Sequence, residues 1–287
     1  MKIIIPKGSG FCPGVISAEK KLLQLREKYD ELIYIYGMFI HNKEYENFLK
    51  RKNIISIQDI NKLDDGSIFI IPTHGIDRNF ENIVKNRFKV FDFTCPKVKN
   101  VQKIIFTHKD YLTIITGKEN HPETIGLKSY SSENIVISDL SRLNEKSFIE
   151  KIKNKKILLI SQTTANENLY INSLNYLNNL LKISFITELK NFNTICPSII
   201  NRENNSIDLL KKQSTKAIVI GDKLSSNSQR LFLRLKTVNE DIFFIENIND
   251  LEKILDKIEK EEKILVVSSS STPSFIENEI IKFLEKI

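Results

Sequence analysis

Short apolar runs alternate along this chain with longer stretches in which apolar side chains recur every three or four positions. Runs that are apolar on both faces read as strands of a parallel sheet, and the longer period reads as an amphipathic helix. Strands are predicted at 2–6, 32–36, 67–72, 89–93, 111–116, 134–138, 156–161, 183–187, 216–221, 241–245 and 263–268. Helices fit between most neighbours, among them 43–52, 166–181, 226–235 and 272–285. Strand and helix in alternation from end to end imply an α/β protein with mostly parallel sheets. No low-complexity linker interrupts the pattern, so any domain boundaries are tight.

At 287 residues the chain can bury one large core or a few smaller ones. Its 41% apolar and 28% charged residues are ordinary for a soluble globular protein. No apolar run approaches the roughly 18 residues of a membrane span, so no membrane partner is expected. Met1 leads directly into the strand-like Ile3-Ile4-Ile5, and no signal or transit segment is expected. The odd count of 3 cysteines argues against a disulfide scaffold and for a reducing cytoplasm. A net charge of +7 suits an acidic substrate or partner. The basic residues are interleaved with Asp and Glu, and no nucleic-acid-binding module accompanies them, so no nucleic-acid partner is expected.

Every cysteine precedes a proline, as Cys12-Pro13, Cys95-Pro96 and Cys196-Pro197. With Pro at 7 of 287 positions, chance would produce this roughly once in 70,000 chains. Proline suits the first helical position, because its missing N–H would have no partner there. A cysteine just before it faces the partial positive charge of the helix start, which favours the metal-binding thiolate. Val15, Ala18, Leu22 and Leu25 follow the first dipeptide at helical spacing, and Val98, Val101 and Ile105 follow the second. Ile200, Ile207 and Leu210 form a weaker version after the third. One strand–Cys-Pro–helix unit is thus used three times, and three such units could point three thiolates at one centre. Unrelated buried cysteines are the plain alternative. Three thiolates can hold zinc with a fourth ligand, although structural zinc usually takes cysteines in close pairs. They can also hold an iron–sulfur cluster with one iron left unligated by protein.

In sheets of this kind ligands bind beyond the carboxyl ends of the strands. Three of the 4 histidines stand at predicted strand ends, His41, His74 and His121, while His108 falls in a helix. His121 opens the run His121-Pro122-Glu123, and Gln162-Thr163-Thr164 follows the strand at 156–161. Two further ends lead into Ser225-Ser226-Asn227-Ser228 and Ser269-Ser270-Ser271-Thr272-Pro273. Each polar cluster alone reads as an ordinary helix cap. Together, two helix starts rich in hydroxyls and several histidines suit a phosphate or diphosphate. Gly8-Ser9-Gly10 lacks the remaining spacing of a dinucleotide or P-loop fingerprint.

Several runs now combine. Gly10-Phe11-Cys12-Pro13-Gly14-Val15, Ile40-His41-Asn42, Thr73-His74-Gly75, Asp92-Phe93-Thr94-Cys95-Pro96, His121-Pro122-Glu123, Gln162-Thr163-Thr164, Ile195-Cys196 with Asn201-Arg202, and Ser225-Ser226-Asn227-Ser228 resemble the 4-hydroxy-3-methylbut-2-enyl diphosphate reductase (IspH/LytB) family. Order and approximate spacing agree over essentially the whole chain. Two positions depart from the usual pattern: Pro13 stands where Ala is common, and Ser269 where a glycine is usual.

The resemblance implies a trefoil of three pseudo-symmetric α/β lobes around a 4Fe-4S cluster held by Cys12, Cys95 and Cys196. The expected lobes are 13–95, 96–190 and 191–287, and the strand ending at Cys12 either begins the first or completes the third. The implied reaction is the last step of the non-mevalonate isoprenoid pathway, a two-electron, two-proton removal of an allylic hydroxyl giving isopentenyl and dimethylallyl diphosphates. In the family the unligated iron binds that hydroxyl. By the same resemblance Glu123 delivers protons, assisted by His121, and Thr163 holds the hydroxyl. His41, His74, Ser225, Ser226, Asn227 and Ser271 bind the diphosphate, with His121 and Thr163 also touching substrate. An electron donor such as ferredoxin or flavodoxin is implied. Other readings of a three-cysteine centre are a redox-neutral hydro-lyase and a basic metal protein that binds nucleic acid.

Overall fold

The computed structural model describes residues 1–213, 216–258 and 263–286. Its strands are β1 (Lys2–Ile4), β2 (Ile33–Tyr36), β3 (Ile54–Ile57), β4 (Ile68–Ile71), β5 (Lys89–Asp92), β6 (Leu112–Thr116), β7 (Glu133–Ile137), β8 (Lys156–Ser161), β9 (Glu188–Asn191), β10 (Lys216–Ile220), β11 (Ile242–Ile245) and β12 (Lys263–Ser268). The helices are α1 (Pro13–Lys28), α2 (Lys43–Arg51), α3 (Arg78–Arg87), α4 (Pro96–Thr107), α5 (Pro122–Lys128), α6 (Lys146–Ile152), α7 (Glu167–Lys182), α8 (Pro197–Gln213), α9 (Ser226–Lys236), α10 (Ile248–Glu252) and α11 (Ser274–Leu284). The strands form three four-stranded sheets, ordered β3-β2-β4-β5, β7-β6-β8-β9 and β1-β12-β10-β11. Pairing is parallel throughout the second and third of these and along β2-β4-β5 in the first. Among the described residues no helix is long and apolar enough to cross a membrane.

The chain divides into two compact units. One comprises Met1–Glu31, Met38–Ser56 and Pro197–Ile287, the other Leu32–Gly37 with Ile57–Cys196. In the first, alternation along β10 and β12 sorts side chains to two faces. Ile218, Ile220, Ile264 and Val266 meet Ile276, Ile280 and Leu284 of α11 on one face. Ala217, Val219, Leu265 and Val267 meet Leu210 of α8 with Leu231 and Leu235 of α9 on the other. Each Val, Leu or Ile among them contributes about 1.5–3 kcal/mol on burial, which is why these runs are apolar throughout. β1 joins this sheet at its edge, with Ile3 opposite Ile264 and Ile4 opposite Leu265. In the second unit, Val101 and Ile105 of α4 pack with Ile115 of β6 and Leu158 and Ile160 of β8. Phe69 and Ile71 of β4 pack with Val84 of α3.

Three features differ from the sequence reading. The apolar stretch at 183–187 is not a strand, because α7 runs on to Lys182 and Ser184 turns the chain with φ 55°. The strand follows at β9, where Glu188 to Asn191 pair with Lys156 to Leu159. A short strand, β3, appears where none was expected, directly after Asn53 ends the α2 region in a left-handed conformation (φ 57°). His108 lies just past α4 as its C-cap, and its Nδ1 donates to the Ile104 carbonyl at 2.7 Å.

Candidate active site

Within the second unit the expected proton donor is built from two strand ends. β6 leads to α5 and β8 to the Gln162-Thr163-Thr164 turn. Glu123, in the first turn of α5, is 3% exposed. Its Oε1 accepts the Thr163 backbone N–H at 2.6 Å and its Oε2 accepts the Thr163 hydroxyl at 2.8 Å. Burial pushes this carboxyl up to about 7, against the pull of the two Thr163 hydrogen bonds. His121 caps the same helix, its Nδ1 accepting the Glu123 N–H at 3.2 Å. The neutral ring therefore carries its proton on Nε2.

The Thr163 turn has a second duty, since its carbonyl accepts the backbone N–H of Cys196 at 2.9 Å. Cys95 is built the same way: its N–H donates to the Thr73 carbonyl at 2.9 Å, next to His74. His74 Nδ1 donates to the Gly75 carbonyl at 2.8 Å, which leaves Nε2 as the acceptor in the neutral ring. Before Cys95, one Asp92 oxygen accepts both the N–H and the hydroxyl of Thr94. The other meets Lys99 Nζ at 2.5 Å.

Within the first unit the hydroxyl cluster is assembled from the ends of β10 and β12. Ser225 Oγ lies 2.9 Å from Ser271 Oγ. Ser228 donates to Ser269 at 2.8 Å, and Ser269 lies 3.1 Å from both Ser271 and Thr272. Thr272 Oγ1 donates onward to the Ile220 carbonyl at 2.7 Å. Thr272 has thereby spent its proton and can only accept from Ser269. Ser228 thus donates into the cluster at Ser269, and Thr272 donates out of it to a backbone carbonyl. Ser271 stands between Ser225 and Ser269, within hydrogen-bond distance of both. Gly221 makes the close approach feasible, because a Cβ there would stand 2.4 Å from Ser228 Oγ. Asn227, in the first turn of α9, is 6% exposed, and among the described residues neither end of its amide has a protein partner. A buried amide in that condition is costly unless a ligand bonds it.

Cys12 belongs to this unit as the N-cap of α1, and its side chain makes no capping hydrogen bond. His41 precedes Asn42, the N-cap of α2, whose Oδ1 accepts the Tyr45 N–H at 2.8 Å. Ser226 opens α9. All three cysteines stand outside disulfides and are half-buried. Among the described residues no three His, Cys, Asp or Glu side chains close on a single metal ion. Sequence reasoning placed Ser228, Ser269 and Thr272 in hydroxyl-rich helix starts without an individual role, and gave Arg202 none. The signal for the first three was the excess of serine at two strand ends, which shows partners only once those ends meet.

A parallel α/β fold whose strand ends carry a buried acid and a hydroxyl-lined helix start defines an enzyme that acts on an anionic substrate. The sequence model of the family described as LytB protein matches residues 3–285, and the chain belongs to that family. It is 35% identical over 295 residues to a Petrotoga mobilis protein named 4-hydroxy-3-methylbut-2-enyl diphosphate reductase, covering 100% of this chain and 98% of the relative. Among solved structures, the Plasmodium falciparum E-1-hydroxy-2-methyl-but-2-enyl-4-diphosphate reductase superposes with a TM-score of 0.86 at 26% identity, over 99% of this chain and 87% of the other. A second, (E)-4-hydroxy-3-methyl-but-2-enyl diphosphate reductase, the terminal enzyme of the non-mevalonate pathway, gives 0.73 at 26% identity, over 100% and 99%.

Proposed function

We propose that this chain reduces (E)-4-hydroxy-3-methylbut-2-enyl diphosphate to isopentenyl and dimethylallyl diphosphates, with Cys12, Cys95 and Cys196 as ligands of a 4Fe-4S cluster. The donor set suits it: thiolates are the usual cluster ligands. Each would take a different iron, so they need not converge as closely as ligands of one ion. When bound, the cluster supplies electrons and a Lewis-acidic iron for the substrate hydroxyl.

The remaining work falls to side chains of this protein. The reaction takes up two electrons and two protons, breaks the allylic C–O bond and releases water. Glu123 is the proton source; its acidity near neutrality, combined with its bond to Thr163, is the observation that carries this reading. Once protonated, Glu123 can reverse that bond and donate to Thr163 Oγ1, while Thr163 turns its own proton to the leaving oxygen. The Nε2–H of His121 steadies charge near the same atoms. Ser225, Ser226, Asn227 and Ser271, with His41 and His74, bind the diphosphate through neutral donors and helix starts. The electron donor is a ferredoxin or flavodoxin, for which the net charge of +7 is favourable, and the reaction runs in the cytoplasm.

The test is Glu123→Gln, assayed anaerobically with reductant and substrate. Iron and sulfide content should match the parent while turnover falls about 10²–10⁴-fold, the usual worth of a positioned acid. Near-normal turnover would remove Glu123 from the proton path. Turnover of the parent enzyme without any reductant would refute the reductase reading.

A further inference from the structure

We propose that Arg202 is the positioning residue for the loop that delivers Cys12. Arg202 follows the Cys196-Pro197 dipeptide on α8 and is 3% exposed. Its guanidinium faces backbone carbonyls of the loop that follows β1: Nε donates to Gly8 at 2.5 Å and Nη2 to Gly10 at 2.6 Å. Asn205, three residues on along the same helix face, adds a bond from Nδ2 to the Lys7 carbonyl at 3.2 Å. α8 thus grips Lys7, Gly8 and Gly10 with side-chain donors that a backbone ladder cannot supply, since β1 ends at Ile4.

The far side of the loop is pinned as well. The Gly10 N–H donates to the Ser268 carbonyl at 3.1 Å, and Ser9 Oγ accepts the Ser268 N–H at 2.8 Å. Ser9 Oγ donates in turn to Glu277 Oε1 at 2.5 Å. Gly10 sits at φ +77°, and a Cβ on it would stand 2.9 Å from Glu277 Oε2. Two residues on, Cys12 caps α1 with no side-chain bond of its own to the helix start. The direction of its thiol is therefore inherited from the loop. A planar fork that bonds two carbonyls two residues apart fixes a curve, which an ammonium point charge cannot do.

The consequence for iron rests on Cys12 being a cluster ligand, as proposed above. The test separates the two ideas. In the iron-free full chain, each cysteine is alkylated with iodoacetamide and followed by peptide mass spectrometry. Arg202→Met should speed labelling of Cys12 about tenfold while Cys95 and Cys196 stay within about twofold, as expected of local opening. Arg202→Lys, which keeps the charge and loses the fork, should lie between. In the loaded enzyme the same variants should release iron to a chelator faster. Equal labelling of Cys12 in parent and variants, or a rise at all three cysteines together, would overturn the positioning role. If Cys12→Ser retained full iron, the ligand reading would fail while the labelling result stood.

Discussion

Glu123 carries a testable pH dependence. Its carboxyl binds a proton more tightly in the fold, at about 7, than at its ordinary 4.5. Folding therefore takes up a proton between those values, and the stability this contributes is complete below about pH 4.5 and drains away as pH rises through about 7. The full span is on the order of 3 kcal/mol. Measured in one cluster state, the unfolding free energy of the parent relative to Glu123→Gln should fall between pH 5 and 8; a difference that does not change with pH would show a carboxyl of ordinary acidity. Turnover should decline above about pH 7 as the acid form is lost. Ser269 is the residue-level departure with a visible structural role. It receives the Ser228 proton and lies within hydrogen-bond distance of Ser271.

At the scale of elements, the start of α9 carries the anion-binding case. Ser225 comes from one strand end, in the turn that leads to Asn227, and Ser271 from another; the two serines meet only because β10 and β12 are register partners, Ile220 opposite Ser268. Asn227→Ala should therefore raise KM for the diphosphate substrate, and the inhibition constant of inorganic diphosphate, by about tenfold with kcat little changed, the worth of one or two hydrogen bonds to an anion. Equal loss in kcat with constant KM would place Asn227 elsewhere in the cycle. Elements like β4, β8 and β12 were legible because runs such as Lys156–Ser161 are buried on both faces. β9 was not, since its polar Glu188 and Lys190 suit an edge, while the apolar residues just before it turn the corner after α7. The motif residues were legible as types and positions. Their partnerships were not, because Glu123 and Thr163, or Arg202 and Gly8, lie far apart in sequence and become neighbours only through sheet order.

For the molecule as a whole, three sheets of one design reproduce the alternation of strand and helix seen in the sequence, and the Cys-Pro step recurs at the starts of α1, α4 and α8. The repetition has an exception with a price in time. β1 stands at Lys2–Ile4, yet the strand it pairs with, β12, stands at Lys263–Ser268. The segment that carries Cys12 is therefore seated by a strand at the opposite end of the fold's sequence order, a long-range contact that forms late. Refolding followed by pulsed hydrogen exchange should show Ile3 and Ile4 gaining protection no earlier than Leu265; earlier protection would mean that this segment docks without its partner. Where Cys12 is a cluster ligand as proposed above, a chain without β12 would lack the partner that seats β1, and should hold less iron than the parent.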